Sequence, residues 1–322
     1  SLYTLESESG VRVKLSNFGA LLVSVEAPDR EGKLDNITLS FSNAKEAEAG
    51  GVFGSVIGRF ANRIDTGGFT IDGTRHDLET VNSKTGVHIH GGKTGFHKQL
   101  WKAETDTPRS VKFSLSSPDG HEGYPGKVDV SVTYTLSKDG VLTLHYRGVT
   151  DKPTHLNLTN HVYFNLAGHG DVLSHELRLT CAEVLEVDER KIPTGKKLPV
   201  KGTAFDFRKT KRVGRDIAGI EGGGYDHCFV VSEDKRENEL IQFASLSDPA
   251  TGRSLSVSTT CPGVQIYTAN HFKGEPYSKW GGICFETQYY PDAPNKAAFP
   301  SSLLRPGEIY EEITEFRFGL EK

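Results

Sequence analysis

Glu286 stands in Gly282-Ile283-Cys284-Phe285-Glu286-Thr287-Gln288, a carboxyl group among apolar neighbours. If that segment is extended, Ile283 and Phe285 fall on one face, and Cys284 and Glu286 on the other. Burial among apolar groups raises a carboxyl pKa, as a general acid or base working near neutrality requires. On an edge strand the same residue would be an ordinary surface glutamate. A second stretch, residues 154–168, combines Asn157, Asn160 and Asn165 with His155, His161 and the pair Tyr163-Phe164. Amides and imidazoles match sugar hydroxyls, and a ring such as Tyr163 covers the apolar face of a sugar. A purely structural reading would have to bury every one of those amides with a partner. A third, Gly58-Arg59-Phe60-Ala61-Asn62-Arg63-Ile64, offers two guanidinium forks and an amide, groups suited to hydroxyls or carboxylates. Its alternative is an arginine pair bonded to backbone carbonyls.

In His88-Ile89-His90-Gly91-Gly92 the two imidazoles are two residues apart, so on a strand both reach one site. The pattern invites a metal, but the next carboxylate is Glu104, and a metal-free site is the preferred reading. Asp226 in Tyr225-Asp226-His227-Cys228-Phe229 and Gln265 in Pro262-Gly263-Val264-Gln265-Ile266-Tyr267 complete the polar segments.

The elements that must hold these residues are strands. Residues 127–136 alternate without a break, with every even position apolar or aromatic, and residues 141–146 alternate again after Ser137-Lys138-Asp139-Gly140, a strong hairpin signal. Residues 68–73, 111–115 and 254–258 behave alike. The best helical segment is residues 42–49, ended by Gly50-Gly51. No βαβ rhythm appears, which argues against a parallel sheet. The expectation is all-β: one large antiparallel β-sandwich forming a single domain over residues 1–322.

Of the chain's 322 residues, 38 are basic and 42 acidic, a net charge of −4 with no basic run, which excludes an electrostatic footprint for nucleic acid. No apolar stretch is long enough for a membrane span. Ser1-Leu2-Tyr3-Thr4-Leu5-Glu6-Ser7-Glu8 shows no signal-peptide pattern, and a cytoplasmic location is expected. Cys181, Cys228, Cys261 and Cys284 are widely spaced and read as small buried hydrophobes. Trp101 and Trp280 read as core or cleft-wall aromatics, His97 as a surface or rim residue, and Lys191, Lys196, Lys197 and Lys201 as a solvated face.

The ordered set GRFANRI, HGG, TNHVYFNLAG, YDHCFV, PGVQIYT and FETQYYPDA resembles the aldose 1-epimerase (galactose mutarotase) family over essentially the whole chain. So do Asn17-Phe18-Gly19-Ala20 and the run from Ser117 to Gly126. The resemblance implies a galactose mutarotase-like supersandwich and interconversion of the α and β anomers of free aldohexoses such as galactose and glucose, with no cofactor and no metal. It puts catalysis on His161 and Glu286, and sugar contacts on Asn62, Arg63, His90, Asp226 and Gln265. The sequence departs from the family where His88 replaces an asparagine before HGG, which makes His88 a candidate extra contact. Rival readings are a hexose-6-phosphate epimerase, which needs extra cations, and a non-catalytic sugar-binding protein of the same fold. The implied partner is a small sugar, and the implied state a monomer or weak dimer.

Overall fold

The computed structural model describes residues 1–49, 51–79, 82, 84–232 and 239–321. The alternating segments are strands, and their alternation is what buries them. Val128–Leu136 turns every second side chain inward and pairs antiparallel with Val141–Thr150, from Val128 opposite Thr150 to Leu136 opposite Leu142. The predicted turn joins them: the Ser137 amide donates to the Val141 carbonyl at 2.8 Å, and Gly140 takes a φ of +84°, which a side chain would disfavour.

Among the described residues two large antiparallel sheets dominate, one of nine strands and one of seven. Nine strands run in the spatial order Lys102–Thr107, Ser110–Ser117, Val128–Leu136, Val141–Thr150, Tyr310–Leu320, Arg253–Thr259, Ile241–Ser247, Glu176–Leu179 and Lys211–Arg212. Seven form the other sheet: Pro193–Pro199, Glu183–Val187, Asp226–Val230, Gly263–Tyr267, Ile283–Gln288, Tyr163–Phe164 and Thr38–Leu39. Phe113, Tyr134 and Phe316 of the first meet Phe164, Phe229 and Phe285 of the second in one buried cluster, so the two sheets are the halves of a sandwich. A smaller four-stranded sheet is built from the first 36 residues.

The helix is shorter than its pattern, Ala44–Ala49. Asn43 Oδ1 accepts from the Glu46 amide at 3.0 Å and Glu46 reaches back to the Ser42 amide at 2.9 Å, so residues 42 and 43 serve as a cap. Gly50, the first of the two stop glycines, lies outside the described residues. Trp101 is core, and its indole N–H donates to the Phe96 carbonyl. His97 is a correction. The Phe96–Lys98 turn folds its imidazole under Gly95, where it is buried and its pKa falls to about 4. Lys196 and Lys201 are exposed, whereas Lys191 is half-buried and close enough to favour the ionised form of Asp226. Among the described residues no helix is long and apolar enough to cross a membrane; this says nothing of a β-barrel.

Candidate active site

The seven-stranded sheet has one face in the core and one facing away, and the polar residues singled out above stand on the second. In Ile283–Gln288, Ile283 and Phe285 join the core while Cys284 and Glu286 take the opposite face, as the alternation predicts. The strand is interior, paired on one side with Gly263–Tyr267 and on the other with Tyr163–Phe164. Glu286 is therefore 2% exposed and not a surface residue of an edge. The ladder registers align two rows across the sheet. Asp226, Tyr267, Cys284 and Tyr163 form one, and Cys228, Gln265 and Glu286 the next. His161 enters just before Tyr163, stacked on its ring with centroids 4.9 Å apart.

Of these, Asp226, Tyr267, Tyr163, Glu286 and His161 line a cavity of about 180 Å³, walled also by Asn62 and Arg63 at the start of the short strand Arg63–Ile64 and by His90 in the turn after Ile89. His161 Nε2 lies 3.6 Å from Glu286 Oε1. Burial lowers the His161 pKa to about 4. Burial, reinforced by the nearby Asp226 charge, raises Glu286 to about 8. Burial also works against ionisation of Asp226. Arg63, whose Nη2 is 3.4 Å away, and the Gln265 amide, which donates at 2.7 Å, outweigh it and hold that carboxyl below its ordinary value. Gln265 thus stands behind Asp226 and is absent from the cavity wall.

His90 is oriented by the backbone. The Asn62 amide donates to His90 Nδ1 at 3.2 Å, and the His90 amide donates to the Asn62 carbonyl at 3.0 Å. Both residues take a positive φ, +66° at Asn62 and +53° at His90, strain of the kind retained at functional sites. Burial, then the neighbouring His161 and Arg63, keep His90 neutral. With Nδ1 accepting, its proton is on Nε2, so His90 is a fixed donor. Ligand atoms of His90, His161 and Glu286 lie within 4.8 Å of one another, close enough for a metal ion. A metal-bound imidazole ordinarily donates from its other nitrogen. His90 accepts there, so its donor set suits a hydroxyl and not a cation.

The two-histidine pattern does not deliver both rings. Strand geometry ends at Ile89, and the turn at His90 separates the side chains. His88 is buried against Tyr124, with Nδ1 on the Glu79 carbonyl, and takes no part in the cavity. The glycines after His90 are sterically required. A Cβ on Gly91 would run into the Gly58 carbonyl, and one on Gly92 into Glu122, whose carboxylate holds the Thr94 amide and hydroxyl.

The arginine pair divides. Arg59 is 2% exposed and donates to Ser117 Oγ and to the carbonyls of Ser117, Pro118 and Pro125, the structural alternative; Arg63 alone reaches the cavity. The asparagines of residues 154–168 are structural too. Asn157 bonds the Tyr289 backbone, Asn160 the Gly54 carbonyl and Asn165 the Gly281 carbonyl, so those amides serve chain closure, although the buried Asn160 Oδ1 accepts no hydrogen bond among the described residues. His155 bonds Ser302. From that stretch only His161 and Tyr163 wall the cavity. Sequence reasoning missed Tyr267 and His271. Tyr267 was findable, two residues beyond Gln265 on the same strand face; His271 sits in a loop and had no signal.

A family model described as aldose 1-epimerase matches residues 1–317. The chain is 42% identical over 320 residues to a galactose mutarotase of Rattus norvegicus, covering 96% of this chain and 92% of the relative. It is 36% identical over 335 residues to an aldose 1-epimerase of Escherichia coli (strain K12), covering 99% and 95%. The solved structure of an aldose epimerase homologue from C. elegans superposes with a TM-score of 0.93 at 29% identity, covering 100% of this chain and 99% of that one.

Proposed function

Since this chain belongs to the aldose 1-epimerase family, we propose that it interconverts the α and β anomers of free aldohexoses such as galactose and glucose, with His161 and Glu286 as its acid–base couple. The observation that carries the reading is the facing pair itself. A buried imidazole at about 4 and a buried carboxyl at about 8, 3.6 Å apart, share one proton throughout the neutral range. Mutarotation needs one acid and one base, and no other co-reactant.

Glu286 as carboxylate takes the proton from the anomeric hydroxyl while His161 as imidazolium gives one to the ring oxygen. The C1–O5 bond breaks and C1 becomes an aldehyde. The couple is then carboxylic acid and neutral imidazole, the distribution that burial favours, so ring opening relieves a buried charge pair. Rotation about C1–C2 presents the other carbonyl face. Closure returns the Glu286 proton to O1 and the O5 proton to His161. His90 as a fixed donor, with Asn62, Arg63 and ionised Asp226, holds the remaining hydroxyls so that the open chain stays bound, and Gln265 steadies Asp226. Tyr163, stacked on His161 and packed by Phe53 and Phe272, backs the imidazole on the cavity wall.

A cavity of about 180 Å³ lined by hydrogen-bonding side chains supports a small polar ligand such as a single monosaccharide. Arg63 is the one cation on that wall among the described residues and is committed to Asp226, which favours an unphosphorylated sugar. A single domain over residues 1–322 is supported by the one core that both sheets share. The cavity is built from one chain, supporting an active monomer or weak dimer. Cysteines buried as thiols suit a reducing compartment such as the cytoplasm.

Polarimetry of freshly dissolved α-D-galactose tests the reaction. Acceleration over the spontaneous rate is expected, and acceleration only of α-D-glucose 6-phosphate would transfer the assignment to the phosphosugar reaction. The couple also fixes a pH dependence. Below about 4 both partners are protonated and no base remains; above about 8 Glu286 has lost the shared proton and no acid remains. Catalysed kcat/KM should therefore be bell-shaped, falling as pH rises through about 8. A catalysed rate still climbing at pH 10 would rule the couple out.

A further inference from the structure

Glu286 is one of two side chains that bracket His161. Cys284, two residues earlier on the same strand face, places its Sγ 3.6 Å from His161 Nδ1, while Glu286 Oε1 stands 3.6 Å from Nε2. One strand thus supplies a neighbour to each ring nitrogen. Other groups facing the imidazole are Tyr163 stacked on it, His90 and Tyr267 edge-on at centroid distances of 5.4 and 6.2 Å, and the charge of Asp226. None of these side chains makes a hydrogen bond to Nδ1 in the structure, where Cys284 does; the residue's own backbone also bonds the ring and favours its protonated form.

We propose that Cys284 is a positioning residue for catalysis: its thiol sulfur accepts the Nδ1–H of His161 and so directs Nε2 at Glu286 in both forms of the couple. The inference deepens the acid–base reading and rests on it. When the shared proton is on Glu286, the carboxyl O–H faces Nε2, and the ring's own proton must be on Nδ1. When it is on His161, both nitrogens carry protons. Either way an Nδ1–H points into a dry interior and requires an acceptor. The thiol is neutral, since burial pushes its pKa well above the ordinary value. Sulfur is a weak acceptor. A carboxylate in that place would pin the proton on His161 and hinder its return after ring closure; a sulfur fixes the ring and leaves the proton mobile.

Cys284→Ala and Cys284→Ser test this. Removing the sulfur takes away the side-chain acceptor of a buried donor, so Cys284→Ala should lower kcat about tenfold with KM within about twofold. Cys284→Ser restores an acceptor and should recover most of that loss. A residue that only fills space would leave the serine variant no better than the alanine one. In ¹⁵N-histidine spectra at neutral pH, wild-type His161 should show Nδ1 protonated and Nε2 bare, with the two signals moving toward each other in Cys284→Ala. A wild-type ring protonated on Nε2, or alanine and serine variants with equal kcat and unchanged ring signals, would overturn the proposal. If Glu286 proves not to be catalytic, the ring signals still report on the contact, so the two failures are separable.

Discussion

Replacing Glu286 by glutamine should reduce kcat for α-D-galactose by about 10²–10⁴-fold, the usual contribution of a placed acid or base, with little change in folding. The amide is isosteric with the carboxyl group it replaces and can still donate toward His161 Nε2, so the interior strand and its core face are undisturbed. It cannot take or return a proton. The same loss should follow His161→Gln. The double variant should be little worse than either single one, because the two act as one couple and the second removal takes away nothing still working. The measurement is initial polarimetric rate at saturating sugar, with far- and near-ultraviolet circular dichroism as the folding control. A Glu286→Gln rate within a few-fold of wild type, or single losses that multiply in the double variant, would sink the assignment.

The other large effect is on stability, and it separates two arginines four residues apart. Arg59 makes 2.6–3.0 Å bonds to three carbonyls and one hydroxyl on the 117–126 loop, and burial lowers its pKa only to about 10, so it stays charged at neutrality. In Arg59→Met the carbonyls of Ser117, Pro118 and Pro125 lose their donor in a place water reaches poorly. Each unmet group costs about 1–3 kcal/mol, and losses within one network add incompletely, so about 3–5 kcal/mol is expected overall. At about 2 °C per kcal/mol for a chain of this size, Tm should fall by roughly 5–10 °C. Arg63→Met should do the reverse, raising KM for sugar while moving Tm by less than about 3 °C. Thermal unfolding and KM on the two proteins decide it. Equal Tm losses in both would erase the division of labour.

Much of this was legible in the residues. Alternation at positions 127–146 gave two long strands and their turn, and the apolar–polar alternation around Glu286 gave the face on which it stands. Residue type was less informative about place. Arg59 and Arg63 look alike in sequence, and only long-range packing sends one to a loop backbone and the other to the cavity. The asparagines at 157, 160 and 165 look like a sugar site because amides that cap chain crossings and amides that grip hydroxyls are the same groups. His88 and His90 fail the two-residue rule because one backbone turn intervenes, and a positive φ at a histidine has no sequence signature. Two-residue strands such as Arg63–Ile64 and Tyr163–Phe164 are too short to carry a period at all.

The two cross-strand rows have a consequence for quality control. Glu286 meets the cavity only because Ile283–Gln288 is paired in one register with its neighbours. A slip of a single residue would turn Phe285 outward and drive a carboxylate into the hydrocarbon between the sheets. The misaligned molecule would be inactive and poorly stable together, with no half-working intermediate between. Turnover is thus a proofreading signal for the weave of the sheet: any molecule that epimerises sugar has its strands threaded to the correct residue.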